Sequence, residues 1–247
     1  MNEVLGILHG RKSVRAFTGK GISPENKNAI LQAACSAPSA GNQQLYTILD
    51  ITDPGLLQQL AVSCDNQPFI AQAPMALVFC ADQRKWLDAF LAGGCQPRKP
   101  GPGDFALALA DAFIAAQTAV IAAQSLGIGS CYIGDVMEHC TLVRTMLALP
   151  NLVFPAAMVV FGYPTPQQAR RVKPARCSLE HIVHENRYRR MDATELGTML
   201  RRGADDWQFE PWIQAFCKRK YNAEFSEEMS RSVAQYLEDY GMQAGEG

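Results

Sequence analysis

Gly10-Arg11-Lys12-Ser13-Val14-Arg15 is the stretch on which the reading of this chain turns. Three cations and a hydroxyl fall between Arg11 and Arg15, and Val14 breaks the run. Side chains alternate along an extended backbone, so Arg11, Ser13 and Arg15 would project to one side and Lys12 and Val14 to the other. Two guanidiniums flanking a hydroxyl suit a phosphate monoester: the planar forks supply paired donors and the hydroxyl adds a third. A solvated basic turn is the plain alternative, and a motif this short leaves both readings open.

A chain of 247 residues points to one large domain rather than two, and 48% hydrophobic residues is ample for a sizeable core. With 23 basic and 24 acidic residues the net charge is −1, which argues against a general nucleic-acid binder. No basic run followed by an apolar stretch opens the sequence, so no signal peptide is expected. None of the eight cysteines stands in a C-x-x-C pair, so finger and iron–sulfur spacings are missing and no metal site is expected. Several cysteines sit in apolar runs such as Val78-Phe79-Cys80, which predicts buried free thiols in a reducing cytoplasm. His9, His139, His181 and His184 show no triad spacing.

Residues 1–9 read as a short helix. Ser23-Pro24-Glu25 supplies an N-cap and a first-turn proline for a helix ending near Cys35. Ala37-Pro38-Ser39-Ala40-Gly41-Asn42 is a loop of small residues, suited either to close approach by a planar ligand or to plain connection. Strands are expected over 45–51, 73–80, 128–135 and 155–164, the second nearly unbroken in its apolar run and so buried on both faces. Helices are expected after Asp53, over 84–91, and over the ten or so residues ending at Leu147. The segment 93–103 is either a mobile loop over a pocket or a surface excursion. The longest helix is expected over 104–127, with Asp104 as N-cap. It is apolar enough to raise a membrane span, but Asp111, Gln117, Thr118, Gln124 and Ser125, and its alanine content, favour a core or interface helix. The tail predicts helices from Trp207 to Lys218 and from Ser226 to Tyr240, without strands.

Five patches, in order, resemble the nitroreductase family of FMN-dependent oxidoreductases: residues 11–17, 37–43, 69–74, 122–130 and 161–164. Their order and spacing over residues 1–190 carry the resemblance. It implies an α+β fold: a central, mostly antiparallel sheet wrapped by helices, in an intertwined homodimer with FMN at the interface. Residues 1–190 would form the FMN-binding domain and 191–247 a helical extension packed on the same domain or on the partner chain. By position, Arg11, Ser13 and Arg15 would hold the phosphate and ribityl chain, with Lys12 close to the ring. Lys173 and Arg176 would close on the phosphate, although Ala175 interrupts the family's lysine-proline-arginine. Pro38, Ser39, Ala40 and Asn42 would contact flavin from the partner chain. Gln67 matches a polar position reaching the ribityl chain or ring. Tyr132, Ile133, Gly134 and Asp135 match the stretch under the isoalloxazine, where backbone amides meet N5 and O4.

The resemblance implies ping-pong transfer of hydride from NAD(P)H to a nitroaromatic or quinone-type acceptor, with Lys12 or Lys173 stabilising charge at flavin N1. No protein nucleophile is needed. No G-x-G-x-x-G with its acidic partner is found, which disfavours a Rossmann-held dinucleotide. The alternatives are a non-catalytic flavin-binding or redox-carrier protein, a specialised branch such as a reductive dehalogenase or flavin-fragmenting enzyme, and a dimer that has lost its cofactor.

Overall fold

The computed structural model describes residues 2–201 and 207–242. In chain order its longer helices are α1 (Glu3–Gly10), α2 (Pro24–Cys35), α3 (Pro54–Ser63), α4 (Arg84–Ala92), α5 (Pro102–Ser125), α6 (Cys140–Leu147), α7 (Pro166–Arg170), α8 (Ala193–Leu200), α9 (Phe209–Phe216) and α10 (Glu224–Leu237). Four strands, β1 (Tyr46–Ile51), β2 (Met75–Asp82), β3 (Gly129–Ile133) and β4 (Val153–Gly162), make one sheet in the order β1-β2-β4-β3, antiparallel throughout. The fold is α+β, as expected.

The two central strands are buried along their whole length. Their alternation splits the core in two. Met75, Leu77, Phe79 and Ala81 face a cluster containing α2 and α5, while Ala76, Val78 and Cys80 face one containing α3 and α6. In β4 the parity changes: Phe154 and Ala156 share a cluster with Val159 and Phe161, and Val153 shares the other with Met158 and Val160. A bulge explains this. Phe79 pairs with Ala157 and Cys80 with Pro155, so Ala156 is the extra residue. Pro155, which has no N–H to give a ladder, sits at that irregularity.

The long helix starts at Pro102 rather than Asp104. Proline at a first-turn position loses no intrahelical bond, and Asp104 instead accepts from the Gly101 amide at 2.8 Å. By length and composition α5 alone among the described helices would cross a membrane, but its inner face is built into the core through Ala108, Ala112, Ala115, Ala116, Ala119, Val120 and Ala123. The strand expected over 128–135 stops at Ile133, because Gly134 enters helical φ/ψ and begins the 3-10 turn Asp135–Met137. The last helix begins at Glu224, before Ser226.

The chain forms two compact units: residues to Arg171 together with those from Glu228, and Val172–Glu227. In the first, Tyr236 and Tyr240 of the C-terminal segment are buried, packing edge-on to Phe154 and Phe105. The second contains α8, capped by Asp192 with Glu195 reaching back, and an aromatic group of Trp207, Phe209, Trp212 and Phe216. All eight cysteines are free thiols.

Candidate functional site

The basic stretch is extended, and it docks on an edge strand. Ser13 makes a parallel bridge with Ser130 of β3, and the Val14 amide donates to the Ser130 carbonyl at 2.9 Å. Val14 is 3% exposed and anchors the segment from below. Gly129 makes this docking possible, since a Cβ there would stand 2.6 Å from Val14 Cγ2.

Alternation then divides the side chains as the sequence predicts. On one side Arg11, Ser13 and Arg15 lie beside Cys131, and Arg11 also reaches Tyr132. Burial raises the Cys131 thiol, and Arg15, Ser13 and Arg11 beside it pull it back down. The Arg11 guanidinium carbon lies 6.0 Å from the centre of the Tyr132 ring. Burial pushes the Tyr132 hydroxyl up to about 12, opposed by Arg11. On the other side, Lys12 and Val14 line a cavity of about 210 Å³ with Gln124, Gly129 and Ala169. The Lys12 ammonium donates to the carbonyls of Ala169 and Arg171, so it ties the chain leaving α7 to the basic stretch.

The Arg11 Nε is buried without a hydrogen-bond partner. A buried, unpaired guanidinium donor beside a hydroxyl and a second arginine fits an anionic ligand. This donor set is compatible with the phosphate of FMN, and the Tyr132 ring and β3 edge with its polar-flanked flat body.

Gln67 and Asp135 are brought together. Gln67 Nε2 donates to Asp135 Oδ2 at 2.6 Å and to the Cys64 carbonyl at 2.9 Å, which leaves its Oε1 as an acceptor. Behind them lies Glu138, 1% exposed. Burial, with Asp65, Asp135 and Glu228 nearby, pushes its carboxyl up to about 7.

The loop with Pro38, Ser39, Ala40 and Asn42 is organised elsewhere, by Asp111 on α5. This buried carboxylate accepts from Ala40 N at 2.9 Å and Leu45 N at 3.0 Å. Ser39 Oγ accepts from Gln44 N at 3.0 Å, and Gly41 and Asn42 both turn through positive φ. No hydrogen bond joins this loop to residues 11–15 or 132–135 among the described residues. Lys173 and Arg176 belong to the second compact unit. Arg98 is engaged bidentately by Asp104, at 2.6 and 2.9 Å, which closes the 98–104 segment on itself. The sequence places Asp111 inside the long helix without assigning it a site role, and it does not single out Cys131. A lone carboxylate inside an alanine-rich helix was a usable signal for the first; nothing local marked the second.

Residues 8–163 match the Nitroreductase family, and the chain belongs to that family. It is 30% identical over 240 residues, 96% of this chain and 92% of the other, to the FMN reductase [NAD(P)H] of Bacillus subtilis. It is 33% identical over 193 residues to the oxygen-insensitive NADPH nitroreductase of Salmonella typhimurium, covering 78% and 77% of the two chains. Among solved structures, B. megaterium NfrA2 superposes with a TM-score of 0.81 at 28% identity over the full length of both chains.

Proposed function

We propose that the protein is an FMN-dependent NAD(P)H oxidoreductase acting on nitroaromatic or quinone-type acceptors. The observation that carries this is the buried, unpartnered Arg11 Nε next to Ser13, Arg15 and the Tyr132 ring. Family membership and the names of the relatives support the same reading.

In this reading Arg11, Ser13 and Arg15 neutralise the phosphate of FMN. Gln67 presents Oε1 to the polar edge of the ring, oriented by Asp135 and the Cys64 carbonyl. Tyr132, Ile133, Gly134 and Asp135 would lie under the ring, where their backbone amides would donate to its polar edge. Lys12 gives two of its three N–H donors to the Ala169 and Arg171 carbonyls, which leaves the third for the ring. Pro38, Ser39, Ala40 and Asn42 serve the partner subunit's cofactor, held in shape by Asp111. The assignment of Lys173 and Arg176 to the phosphate rests on the resemblance alone, as does the division at residue 190. When bound, FMN supplies hydride acceptance and donation at one position. NAD(P)H and the acceptor use one place in turn, a ping-pong order.

A homodimer is part of the proposal. Val4, Leu5 and Leu8 on α1, and Leu107, Phe113 and Ile114 on α5, are 39–58% exposed, an apolar surface suited to a second copy. We assign the cytoplasm as its compartment from its free thiols.

The test is the absorbance spectrum of the purified protein with steady-state NAD(P)H oxidation against a quinone. Oxidised-flavin bands, turnover, and FMN loss on Arg11→Ala are expected. Retained flavin without turnover would indicate a carrier, and a protein that stays colourless after mixing with FMN would overturn the reading.

A further inference from the structure

Beside the flavin site proposed above, and sharing Asp135 with it, the first compact unit holds three carboxylates that no arginine or lysine among the described residues neutralises. Asp65, Asp135 and Glu138 each offer an oxygen, and these oxygens all lie within 4.8 Å of one another. Two backbone features assemble them. Asp65 sits at φ +57 just after α3, and Asp135 and Glu138 bracket the 3-10 turn that follows β3. Glu138 is 1% exposed and its Oε1 is buried with no hydrogen-bond partner, so this carboxylate stands in the group with an unsatisfied oxygen. No ion pair reaches any of the three among the described residues. Asp135 is held from behind by the Gln67 amide, and exposed Asp65 leaves a path to solvent.

We propose that Asp65, Asp135 and Glu138 bind a hard divalent cation of the Ca²⁺, Mg²⁺ or Mn²⁺ class. The donor set is oxygen only, which excludes the softer metals that select imidazole or thiolate. Calcium–oxygen distances of about 2.3–2.6 Å let ligand oxygens stand up to roughly 4.6–5.2 Å apart across an ion, and the three oxygens here, all within 4.8 Å of one another, fall inside that reach. A buried carboxylate oxygen without a donor is costly, and a cation satisfies it together with its two neighbours. The fourth acid nearby, Glu228, is already committed. Its oxygens accept from the His139 amide at 3.2 Å, from Ser232 Oγ at 2.8 Å and from Arg231 at 2.9 Å. The sequence showed no metal spacing because the ligands come from two segments seventy residues apart.

The test is an electron paramagnetic resonance titration of the purified full-length protein with Mn²⁺, on wild type, Glu138→Gln and Asp65→Asn. One Mn²⁺ per chain is expected, displaced by Ca²⁺ or Mg²⁺. Each substitution should weaken binding by at least about ten-fold. Asp65 is exposed, so its asparagine variant folds even if the Glu138 variant does not. Thermal melts give a second readout: Mn²⁺ should raise the melting temperature of wild type and leave Glu138→Gln unmoved. A cluster that merely shares protons would make Glu138→Gln more stable in chelator while Mn²⁺ moved neither protein, and that result overturns the proposal. So does the lack of saturable Mn²⁺ binding, or binding that both variants retain.

Discussion

Val14 rests on Gly129 with no room for a single added methyl: a Cβ on Gly129 would stand 2.6, 3.0 and 3.3 Å from Val14 Cγ2, Cβ and Cγ1. This contact fixes the height of the basic stretch over β3, and with it the side on which Arg11, Ser13 and Arg15 emerge. The proposed anion site is thus set by an apolar contact on the opposite side of the same stretch.

Gly129→Ala is expected to lower stability by about 1–3 kcal/mol, the usual range for overpacking a tight core site, and to weaken FMN retention. Combining it with Val14→Ala returns the missing volume and should recover most of both losses. Thermal melts and the flavin-to-protein absorbance ratio measure the two effects. Full flavin retention in the single variant would uncouple the contact from the site.

Asp111→Asn replaces a carboxylate that accepts from two backbone amides by a group that brings its own N–H donors. The expected loss is about 1–3 kcal/mol, the cost of leaving a buried donor unsatisfied. The same substitution should loosen residues 38–44, read as faster amide hydrogen exchange at Ala40 and Leu45. Unchanged protection at both amides would count against Asp111 as their anchor.

Asp104 ties Arg98 and the Gly101 amide to the start of α5. The Arg98 guanidinium, with the Gly101 amide, holds its carboxyl below the ordinary 3.8. A carboxyl lowered on folding stabilises above its unfolded value and stops doing so as pH falls through its folded one. Asp104→Asn should therefore cost about 1 kcal/mol at neutral pH, a typical capping loss. The gap from wild type should close as melts are run progressively below pH 3.8. A gap that stays constant into acid would show that the charge on Asp104 contributes nothing.

Ile114→Glu, on the exposed apolar side of α5, is expected to shift the protein from dimer to monomer in sedimentation analysis at micromolar concentration. Leu107→Glu should act the same way, while Gln58→Glu, on the far side of the sheet at α3, should leave the assembly intact. A wild-type monomer would remove the basis for a shared cofactor site.

The parts of this chain that were legible beforehand are those where pattern and local chemistry agree. Ser23 and Pro24 marked the start of α2, and the run from Met75 to Cys80 announced a strand buried on both faces. The alternation in 11–15 correctly separated Arg11, Ser13 and Arg15 from Lys12 and Val14. Element ends were less readable. Asp104 looks like a cap by composition, but proline two residues earlier opens the helix sooner. The bulge at Ala156 left no trace in composition, since apolar residues run through it on both faces.

Sequence by itself determined the family, the α+β class and the alternation of side chains in residues 11–15, because those follow from residue order and periodicity along the chain. Tertiary structure alone decided where Lys12 puts its charge, what Asp111 holds, and that Asp65, Asp135 and Glu138 meet. Those outcomes depend on which distant backbone carbonyl, amide or carboxylate packing delivers to a given side chain, and chain order does not encode that distance.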